Sequence, residues 1–264
     1  MKRILITGAN SYIGTSFEKF IEENFSEQYV VDTIDMIDGS WIKKDFSRYD
    51  VVFHVAGIAH QKETKDNSQL YYKINRDLAI DVAKKSKADG VKQFVFLSSM
   101  SVYGMDTGVI TKETKPNPKT NYGKSKLQAE NEINTLRDGS FKVCVLRPPM
   151  VYGNGCKGNY NSIVKLVKKF PFFPRVNNKR SMANINNLVT FIETAVDKEL
   201  DGLFFPQDRE YVNTTDLAKS IAESLGKKIY MSYLLGFAVN CLKPFSKTIR
   251  KAFGTLIYDF KDFK

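Results

Sequence analysis

Tyr122 and Lys126 stand four residues apart, the spacing that places two side chains on one face of a helix. A phenol has a pKa of about 10, and an ammonium one turn away can lower it by favouring the phenolate. Ser99 ends an apolar run upstream, where its hydroxyl can share a proton with the same substrate oxygen. These three residue types suit proton exchange with a sugar or alcohol hydroxyl while a nicotinamide takes the hydride. Tyr-x-x-x-Lys also occurs by chance as two solvated helix residues. The elements around the pair are therefore needed to distinguish a catalytic pair from a chance one.

The N-terminus predicts the element that brings a cofactor to those residues. An apolar run at 2–6 predicts a strand, residues 7–14 a tight turn, and the apolar spacing from Phe17 a helix. The N-terminus of such a helix offers N–H groups and a positive dipole end to a pyrophosphate. A glycine pattern placed between a first strand and a first helix is much stronger evidence than the pattern alone. The residues expected to bind the cofactor here are Gly8, Ser11, Tyr12, Ile13 and Gly14.

With these motifs the chain resembles the extended short-chain dehydrogenase/reductase family, in its NAD-dependent sugar-nucleotide epimerase/dehydratase branch. The family pattern is Thr-Gly-x-x-Gly-x-x-Gly, then a Ser or Thr before Val-Tyr-Gly, then Tyr-x-x-x-Lys. The matching positions are Thr7, Gly8, Gly14, Ser99, Val102-Tyr103-Gly104, Tyr122 and Lys126. Ser11 replaces the middle glycine, and it fits only if its φ stays negative and the pyrophosphate keeps room. The resemblance covers roughly residues 1–215.

The resemblance implies an α/β fold, a Rossmann-type doubly wound parallel sheet with a small C-terminal α/β substrate lobe. Residues 1–150 would form the NAD-binding Rossmann domain that carries Ser99, Tyr122 and Lys126. Residues 151–264 would form the substrate-binding lobe, with some segments returning to the main domain. Relatives of this kind are commonly dimers through the helix that carries the tyrosine, so a homodimer is expected.

An acidic residue at the end of the second strand distinguishes NAD from NADP. Such a carboxylate accepts hydrogen bonds from both ribose hydroxyls of NAD and repels the 2′-phosphate of NADP. The strand is predicted at 29–35, so Asp35 is the first candidate and Asp32 is the alternative if the strand ends early. No basic residue directly follows the strand, the nearest being Lys43 and Lys44. NAD is therefore the expected cofactor.

The resemblance also implies cofactor contacts farther along the chain. Asp45 and Phe46 match a family pair that lies over the adenine, and Asn75 matches a family asparagine near the cofactor. Ala56 and Gly57 end a buried parallel strand, where small residues let the cofactor lie flat on the strand end.

Composition bounds the class of protein. The 264 residues are 42% hydrophobic and 26% charged, which is typical of a globular protein with a large core. The three cysteines are widely spaced, which predicts reduced thiols and neither a disulfide framework nor a metal site. His54 lies within an apolar run and is expected to be a satisfied interior histidine, and His60 is the only other histidine. No secretory peptide precedes the first strand, so a cytoplasmic protein is expected.

The formal net charge of +11 predicts an anionic partner, or a basic bias spread over solvated faces. No basic-aromatic strip or nucleic-acid motif is present, so nucleic acid is not an expected partner. Residues 229–242 are apolar and aromatic, and a basic segment follows them up to Lys251. The pattern fits peripheral membrane contact through residues 229–257, or a helix packed on its own domain, and its apolar run is too short to span a bilayer.

Two residues in the C-terminal part are candidates for substrate binding. Asn161 resembles the start of a family helix that contacts the nucleotide-sugar diphosphate. Arg180 opens a segment that resembles the family's Arg-x-x-x-His-x-x-Asp-Leu, with asparagine in place of both His and Asp. A guanidinium offers paired N–H groups to a diphosphate, and the alternative is an ordinary surface arginine.

The expected activity is that of a nucleotide-sugar 4-epimerase. It would act on a UDP-hexose or a UDP-N-acetylhexosamine by NAD-mediated oxidation at C4, for cell-surface polysaccharide synthesis. An NAD(P)H-dependent 4-keto-sugar-nucleotide reductase is the alternative, and a non-catalytic nucleotide-binding member is less favoured. A 4,6-dehydratase is disfavoured, because Met100 and Ser101 stand where that subgroup has an acidic pair. A lipid-linked sugar remains open as the substrate, since it would fit the basic tail.

Overall fold

The computed structural model describes residues 1–59, 61, 63–64, 66–156 and 158–263. The strands are β1 (Lys2–Thr7), β2 (Tyr29–Ile34), β3 (Val51–His54), β4 (Gln93–Leu97), β5 (Gly108–Ile110), β6 (Lys142–Leu146), β7 (Met150–Tyr152), β8 (Phe172–Pro174), β9 (Met182–Asn184), β10 (Gly202–Phe204), β11 (Tyr230–Ser232) and β12 (Leu256–Tyr258). The helices are α1 (Tyr12–Asn24), α2 (Ser68–Tyr72), α3 (Leu78–Ala88), α4 (Asn121–Asn134), α5 (Asn159–Lys169), α6 (Ile185–Asp197), α7 (Thr214–Ser224), α8 (Tyr233–Leu242) and α9 (Lys247–Phe253). A π-helical turn, Lys73–Asp77, joins α2 to α3.

Two compact units divide the chain, and neither is continuous in sequence. Unit 1 comprises residues 1–104, 116–149 and 184–206, and unit 2 comprises residues 105–115, 150–183 and 207–264. Residues 105–115 belong to unit 2 because β5 pairs with β12. Residues 184–206 belong to unit 1 because β10 pairs with β6. The sequence-based division at residue 150 allowed for returning segments without locating either of these.

Unit 1 is built on a six-stranded parallel sheet with the order β10-β6-β4-β3-β1-β2. Leu5 and Val52 belong to the buried cluster that also holds residues of α3 and α4. On the opposite face, Phe53 meets Phe17 of α1 with ring centroids 5.5 Å apart, and α1 packs on α6. Because neighbouring strand residues alternate between faces, helices cover both sides of the sheet. This is a doubly wound Rossmann-type sheet, and the predicted fold class is confirmed.

The strand order also locates the edge where ligands collect. From β1 the chain moves to β2 on one side, and from β3 it proceeds through β4 and β6 to β10 on the other. The direction of winding therefore reverses between β1 and β3. In open α/β sheets the binding crevice lies outside the carboxyl ends of the strands at such a reversal. In unit 1 these ends are Thr7 and His54.

Unit 2 has its own small core. Strand β8 pairs with β11, and β5 pairs with β12, each in parallel. The buried apolar side chains come from α5, β8, β9 and α7 and are Ile163, Val167, Phe173, Met182, Leu217, Ala218, Ile221 and Ala222. None of the helices in the described part of the chain is long and apolar enough to cross a membrane. Nor do any three His, Cys, Asp or Glu side chains among the described residues form a metal-binding group.

Candidate active site

The turn after β1 is held against the ends of two other strands. Gly8 has φ +116°, a conformation that suits glycine. A Cβ there would lie 2.7 Å from the backbone nitrogen of Ala56, so the glycine lets β1 and β3 end close together. The N–H groups of Gly8 and Ala9 donate to the carbonyl of Ile34 at 3.0 and 3.1 Å. The turn therefore joins the carboxyl ends of β1, β2 and β3.

Ser11 stands where the family has its middle glycine, and it caps α1. Its φ is −72°, and its hydroxyl accepts a hydrogen bond from the N–H of Gly14 at 3.2 Å. The negative φ meets the condition under which a serine fits at this position. The non-glycine residue in the turn with a left-handed backbone is Asn10, at φ +63°. Asparagine tolerates that conformation, but the glycine pattern did not point to it.

The start of α1 completes a cradle suited to a pyrophosphate. Tyr12 and Ile13 are its first two residues, so the positive end of the helix dipole directly follows the turn. A Cβ at Gly14 would lie 3.1 Å from Cγ1 of Val55, which shows how closely α1 approaches the end of β3. Backbone N–H groups and small residues are what a dinucleotide pyrophosphate needs. The residues present therefore fit NAD.

Asp35 and Asp32 have different surroundings. Asp35 directly follows β2, is exposed, and accepts a hydrogen bond from the N–H of Ile37 at 2.8 Å. Asp32 lies within the strand, accepts from the Tyr49 phenol at 2.7 Å and lies 3.5 Å from the guanidinium of Arg3. The carboxylate of Asp32 already has two partners on the protein, and Asp35 is therefore the better candidate for the ribose hydroxyls.

We expect Asp35→Ala to weaken NAD binding by about ten- to a hundredfold, because hydrogen bonds to charged groups contribute about 1.5–3 kcal/mol each. NADP binding should stay the same or become tighter, since a repelling charge is removed. Titration calorimetry with both cofactors measures the ratio. Asp32→Asn is the matched control and should leave that ratio unchanged. A change of the ratio in Asp32→Asn, with none in Asp35→Ala, would assign the ribose contact to Asp32.

Phe46, an expected cofactor contact, lies in the core of unit 1. Its side chain is fully buried there, and the ammonium of Lys85 lies 4.9 Å from the ring centroid. Its N–H donates to the carboxylate of Asp89 at 3.0 Å. Both the ring and the N–H are therefore engaged within the protein, and the contact of Phe46 with the adenine stays a prediction. Asp45 is exposed and accepts from the N–H of Ser47 at 2.8 Å, so its contact with the adenine stays a prediction.

Asn75 is fully buried in the π-helical turn, and its amide is used within the protein. Its Oδ1 accepts from the N–H of Ile58 at 2.8 Å, and its Nδ2 donates to the carbonyl of Ile58 at 3.0 Å. A Cβ at Gly57 would lie 2.8 Å from Asn75 Oδ1 and 3.4 Å from the ammonium of Lys126. Asn75 therefore holds the backbone on which Gly57 is exposed, and any effect on the cofactor passes through that backbone.

Two adjacent serines follow β4, and only one of them meets Tyr122. Ser98 is buried and donates to the carboxylate of Glu130. Ser99 is half-buried, and it donates to the hydroxyl of Ser101 and accepts from its N–H, each at 3.1 Å. The Ser99 hydroxyl also lies close enough to the phenol of Tyr122 to lower its pKa. The structure therefore brings together the hydroxyl and the phenol that the sequence selected for proton exchange.

Two side chains cap the start of α4. Oγ1 of Thr120 accepts from the N–H of Gly123 at 3.1 Å. The carboxylate of Glu63 accepts from the N–H groups of Asn121 and Tyr122 at 3.0 and 3.1 Å. Both caps satisfy N–H groups that a helix start leaves without partners. Glu63 lies far from α4 in sequence, and no motif pointed to it.

Gly123 explains why the tyrosine reaches the serine. A Cβ at this position would lie 2.6 Å from the carbonyl oxygen of Ser101. A larger residue would therefore push α4 away from the segment that holds Ser99. The glycine next to Tyr122 is a packing requirement that the Tyr-x-x-x-Lys pattern does not express.

The electrostatics of the pair differ from the expectation. Burial raises the pKa of Tyr122 above 10, and the hydrogen bond with Ser99 opposes this shift. The expected lowering of that pKa by Lys126 is not found. The Lys126 ammonium donates to the carbonyl of Leu97 at 2.9 Å and lies 4.8 Å from the ring centroid of Phe96. Burial lowers its own pKa to about 8.

A buried ion pair lies behind the candidate catalytic residues. Arg147, after β6, donates to both carboxylate oxygens of Glu130 on α4, from Nε at 3.1 Å to each. The same carboxylate accepts from Ser98, and Arg147 also donates to the phenol of Tyr103 at 2.9 Å. The network ties the ends of β4 and β6 to α4. It therefore helps to hold Ser99 beside Tyr122.

His54 is a fully buried core residue that stacks between Phe94 and Phe96. Its Nδ1 lies 2.8 Å from the hydroxyl of Thr7, while Nε2 has no hydrogen-bond partner among the described residues. The interior position agrees with the expectation, but only one ring nitrogen is satisfied. Burial, and then the charge of Lys126, lowers the pKa of His54 to about 3. His60 lies outside the described residues.

His54 should make the fold sensitive to acid. Below its unfolded pKa of 6.5 the unfolded chain binds a proton that the folded chain does not. Neutral His54 therefore contributes fully to the free energy of unfolding above pH 6.5. As the pH drops from 6.5 toward 3, the free energy of unfolding should fall by up to about 1.4 kcal/mol per pH unit. Denaturant unfolding of the parent and of His54→Asn at several pH values measures the difference between their curves. Parallel curves below pH 6.5 would contradict the assignment.

The two candidates for substrate binding lie in unit 2. Asn161 is half-buried in the first turn of α5. Arg180 is only 8% exposed, so it is not an ordinary surface arginine. One of its terminal nitrogens donates to the carbonyl of Gly254 at 2.9 Å, and its Nε has no hydrogen-bond partner among the described residues. Burial lowers the pKa of Arg180, and Asp106 opposes the shift.

A Rossmann sheet with a serine and a Tyr-x-x-x-Lys helix at its carboxyl edge defines a class, the short-chain dehydrogenase/reductase type of nucleotide-dependent enzyme. The sequence profile of the NAD dependent epimerase/dehydratase family matches residues 4–198. The chain belongs to this family, and its cofactor is NAD.

Three similar proteins refine the comparison. The chain is 32% identical to UDP-glucose 4-epimerase of Vibrio cholerae over 278 residues, covering 95% of this chain and 83% of that protein. It is 26% identical to the N-acetyl-alpha-D-glucosaminyl-diphospho-ditrans,octacis-undecaprenol 4-epimerase of Escherichia coli O157:H7, covering 98% and 85%. A solved structure of UDP-glucuronic acid 4-epimerase from Bacillus cereus, in complex with NAD, superposes with a TM-score of 0.73 at 19% identity, covering 97% and 88%. At that identity the likeness shows the fold.

Proposed function

We propose that the protein is a nucleotide-sugar 4-epimerase acting on a UDP-hexose or UDP-N-acetylhexosamine. The observation that carries the proposal is that Ser99 and Tyr122 meet at the carboxyl edge of the sheet, where the Ser99 hydroxyl lowers the pKa of the Tyr122 phenol. Both of the curated relatives described above are 4-epimerases, which supports reaction at the 4-position. Synthesis of cell-surface polysaccharide, in the cytoplasm, is the setting that we propose.

In the proposed reaction Tyr122 removes the proton from the sugar 4-hydroxyl. Ser99 hydrogen-bonds the same oxygen and relays the proton to the Tyr122 phenolate, which becomes the phenol. NAD, when bound, supplies the acceptor for the C4 hydride and the source from which it returns. The 4-keto sugar turns over, C4 receives the hydride on its other face, and O4 takes its proton back from Tyr122. Protons and electrons balance over the cycle, so no cofactor is consumed.

Lys126 supplies the positive charge that the phenol needs. Burial makes the Tyr122 phenolate costly, and the hydrogen bond of Ser99 alone does not offset this cost. Lys126 lies one turn along α4, and with a pKa of about 8 it remains mostly charged at neutral pH. The ammonium of Lys126 stabilises the phenolate when it lies near the phenolate oxygen. The carbonyl of Leu97, to which this ammonium donates in the structure, competes with the phenolate for it.

Arg180 and Asn161 are proposed to bind the substrate diphosphate. The buried Nε of Arg180 carries an N–H group with no partner among the described residues, and an anion would satisfy it. Asn161 offers an amide donor in the first turn of α5.

The test uses purified protein with no cofactor added. Bound NAD is released by denaturation and quantified, and the protein is incubated with UDP-glucose, UDP-N-acetylglucosamine and undecaprenyl-diphospho-N-acetylglucosamine. We expect retained NAD and conversion to the galacto epimer without net NADH. Conversion of only the lipid-linked sugar would keep the epimerase and change the carrier. Reduction of a 4-keto sugar with stoichiometric use of NADPH would replace the proposal by a reductase. Ligand binding with no reaction of any substrate would make the chain a binding protein.

A homodimer is proposed through α3 and α4. The outer sides of these helices, with the π-helical turn before α3, form a shallow groove lined by polar and charged residues, among them Arg76, Asp81 and Glu132. Light scattering of the purified protein decides between one chain and two.

A membrane contact within residues 229–257 would accompany a lipid-linked substrate, because its carrier lies in the bilayer.

A further inference from the structure

The formal net charge of the chain is concentrated in one unit. Unit 1 contains 21 Lys and Arg and the same number of Asp and Glu. Unit 2 contains 19 Lys and Arg but only 8 Asp and Glu, which accounts for the entire +11. The basic character is therefore not a bias spread over all solvated faces. It belongs to the unit that does not carry the candidate catalytic residues.

Within unit 2, α8 is almost entirely apolar, with Asn240 as its one amide side chain, and yet it is exposed. Its sequence, Tyr-Leu-Leu-Gly-Phe-Ala-Val-Asn-Cys-Leu, contains no charged residue. Leu234 is 76% exposed and Phe237 is 68% exposed, and Gly236 is the one buried residue of this fully described helix. A helix that is hydrophobic all round is normally buried in a core or in a membrane. The described residues of unit 2 supply no such cover for α8.

The seating of α8 shows which side faces outward. A Cβ at Gly236 would lie 2.1 Å from the carbonyl oxygen of Arg175, so the helix rests on the end of β8 at this glycine. At 100° per residue, Leu234, Ala238 and Cys241 lie opposite Gly236. All three are exposed. The outward stripe of the helix is therefore apolar along its whole length.

Neighbouring side chains extend this surface. Phe172 of β8 and Tyr230 of β11 are exposed and lie with ring centroids 5.8 Å apart. Tyr233 begins α8 directly after β11 and is exposed as well. Phe245, which follows the helix, is 87% exposed. We call the set of Phe172, Tyr230, Tyr233, Leu234, Phe237 and Phe245 the apolar patch.

Only basic residues flank the apolar patch in sequence. From residue 224 to residue 258 there is no Asp or Glu, while the Lys and Arg residues are Lys227, Lys228, Lys243, Lys247, Arg250 and Lys251. Helix α9 adds charge but little apolar surface, because Ile249 is half-buried and Phe253 packs on Phe173 in the core of unit 2, with ring centroids 5.8 Å apart. The segment that offers exposed apolar side chains to a contact is therefore shorter than the predicted range of residues 229–257.

We propose that the apolar patch and its flanking lysines bind the surface of an anionic lipid membrane. Aromatic and aliphatic side chains insert at the headgroup boundary while lysines contact anionic headgroups, and a short apolar helix lies in the plane of that boundary. A second copy of this chain is a poorer occupant, because it would bring a like-charged patch to the contact. The proposal concerns a surface of unit 2 and does not depend on the epimerase assignment.

Cosedimentation with lipid vesicles tests the proposal. The full chain should bind vesicles of mixed phosphatidylglycerol and phosphatidylcholine more strongly than pure phosphatidylcholine, with an affinity that falls as salt rises. Leu234→Ser with Phe237→Ser should lower the partition coefficient by about a hundredfold, because two large side chains lose their burial. Lys243→Glu with Lys247→Glu should lower it by at least about tenfold, and only on anionic vesicles.

Matched controls come from unit 1. Leu203→Ser removes an exposed leucine, and Lys198→Glu reverses an exposed lysine, and neither should change vesicle binding. The exposed Cys241 also provides a direct probe, in a Cys156→Ser background where Cys144 is buried. An environment-sensitive fluorophore on it should shift to the blue when anionic vesicles are added.

Three results would overturn the proposal. The first is equal vesicle binding by the parent and the double-serine variant. The second is self-association of the chain that only the double-serine variant loses. The third is a fluorophore on Cys241 whose emission does not shift when anionic vesicles are added. Epimerase activity on soluble UDP-sugars should be the same for the parent and both double variants. A failure of vesicle binding is therefore distinct from a failure of the proposed catalysis.

Discussion

Replacing Tyr122 with phenylalanine is expected to lower kcat for 4-epimerisation by about a hundred- to ten-thousandfold, the range that a positioned acid-base group contributes. The phenol is the group that meets Ser99, and phenylalanine removes its proton while keeping the ring. The caps of α4 hold backbone N–H groups, so the helix should keep its start. Substrate binding should remain close to that of the parent, and NAD should still copurify. Epimer formation at saturating substrate measures the loss.

Tyr72→Phe is the matched control for this prediction. The phenol of Tyr72 donates to the side chain of Asn121, one residue before Tyr122, at 3.2 Å. Its removal perturbs the same helix start without touching the proposed proton path, so kcat should stay within a few-fold of the parent. If Tyr122→Phe kept more than about a tenth of the parent activity, another group would have to move the proton.

Replacing Glu130 with alanine is expected to lower the free energy of unfolding by about 3–5 kcal/mol. The carboxylate is buried and accepts hydrogen bonds from Arg147 and Ser98. Without it the buried guanidinium of Arg147 would lose the carboxylate that compensates its charge and would keep its hydrogen bond to the neutral phenol of Tyr103. An uncompensated buried charge is far more costly than the loss of the pair as a whole. Denaturant unfolding followed by circular dichroism measures the change.

Glu132→Ala serves as the control on the same helix, since Glu132 is exposed and its loss should change stability by no more than about 0.5 kcal/mol. A second variant separates charge from packing. Glu130→Leu combined with Arg147→Met removes both charges and should recover much of the lost stability. Equal destabilisation by the single and the double replacement would show that shape, and not charge, governs this site.

The beginning of the chain is where sequence reasoning reached farthest. The strand, turn and helix of residues 2–24 form from neighbouring residues, and apolar periodicity and one glycine are enough to recognise them. The parallel sheet follows from the repeated alternation of such strands and helices. The choice of Ser99 over Ser98 also came from a local pattern, the spacing to Val-Tyr-Gly. The geometry of a helix, strand or turn fixes the spacing of its residues, so such a pattern can be recognised by counting along the chain.

Other features depend on residues that are distant in sequence. Phe46 became a core residue because it packs in one cluster with residues of α3, and Asp89, directly after α3, accepts its N–H. The ammonium of Lys126 met the carbonyl of Leu97, so the expected lowering of the Tyr122 pKa did not appear. The cap of α4 by Glu63 joins segments that only folding brings together. None of these contacts leaves a periodic signal in the sequence.

The sequence by itself determined the family, the parallel α/β sheet, the NAD cofactor and the types of residue that could exchange protons with a sugar hydroxyl. The tertiary structure showed which carboxylate near the end of β2 is less engaged, Asp35 or Asp32, and which hydroxyl meets the phenol. It also showed that the net charge lies in unit 2, beside an uncovered apolar helix. Motifs involve residues that are close in sequence, so they can be recognised from the order of residues alone. Burial, hydrogen-bond partners and surface patches arise only when distant segments share space, because each depends on what lies around a side chain and not on what precedes it.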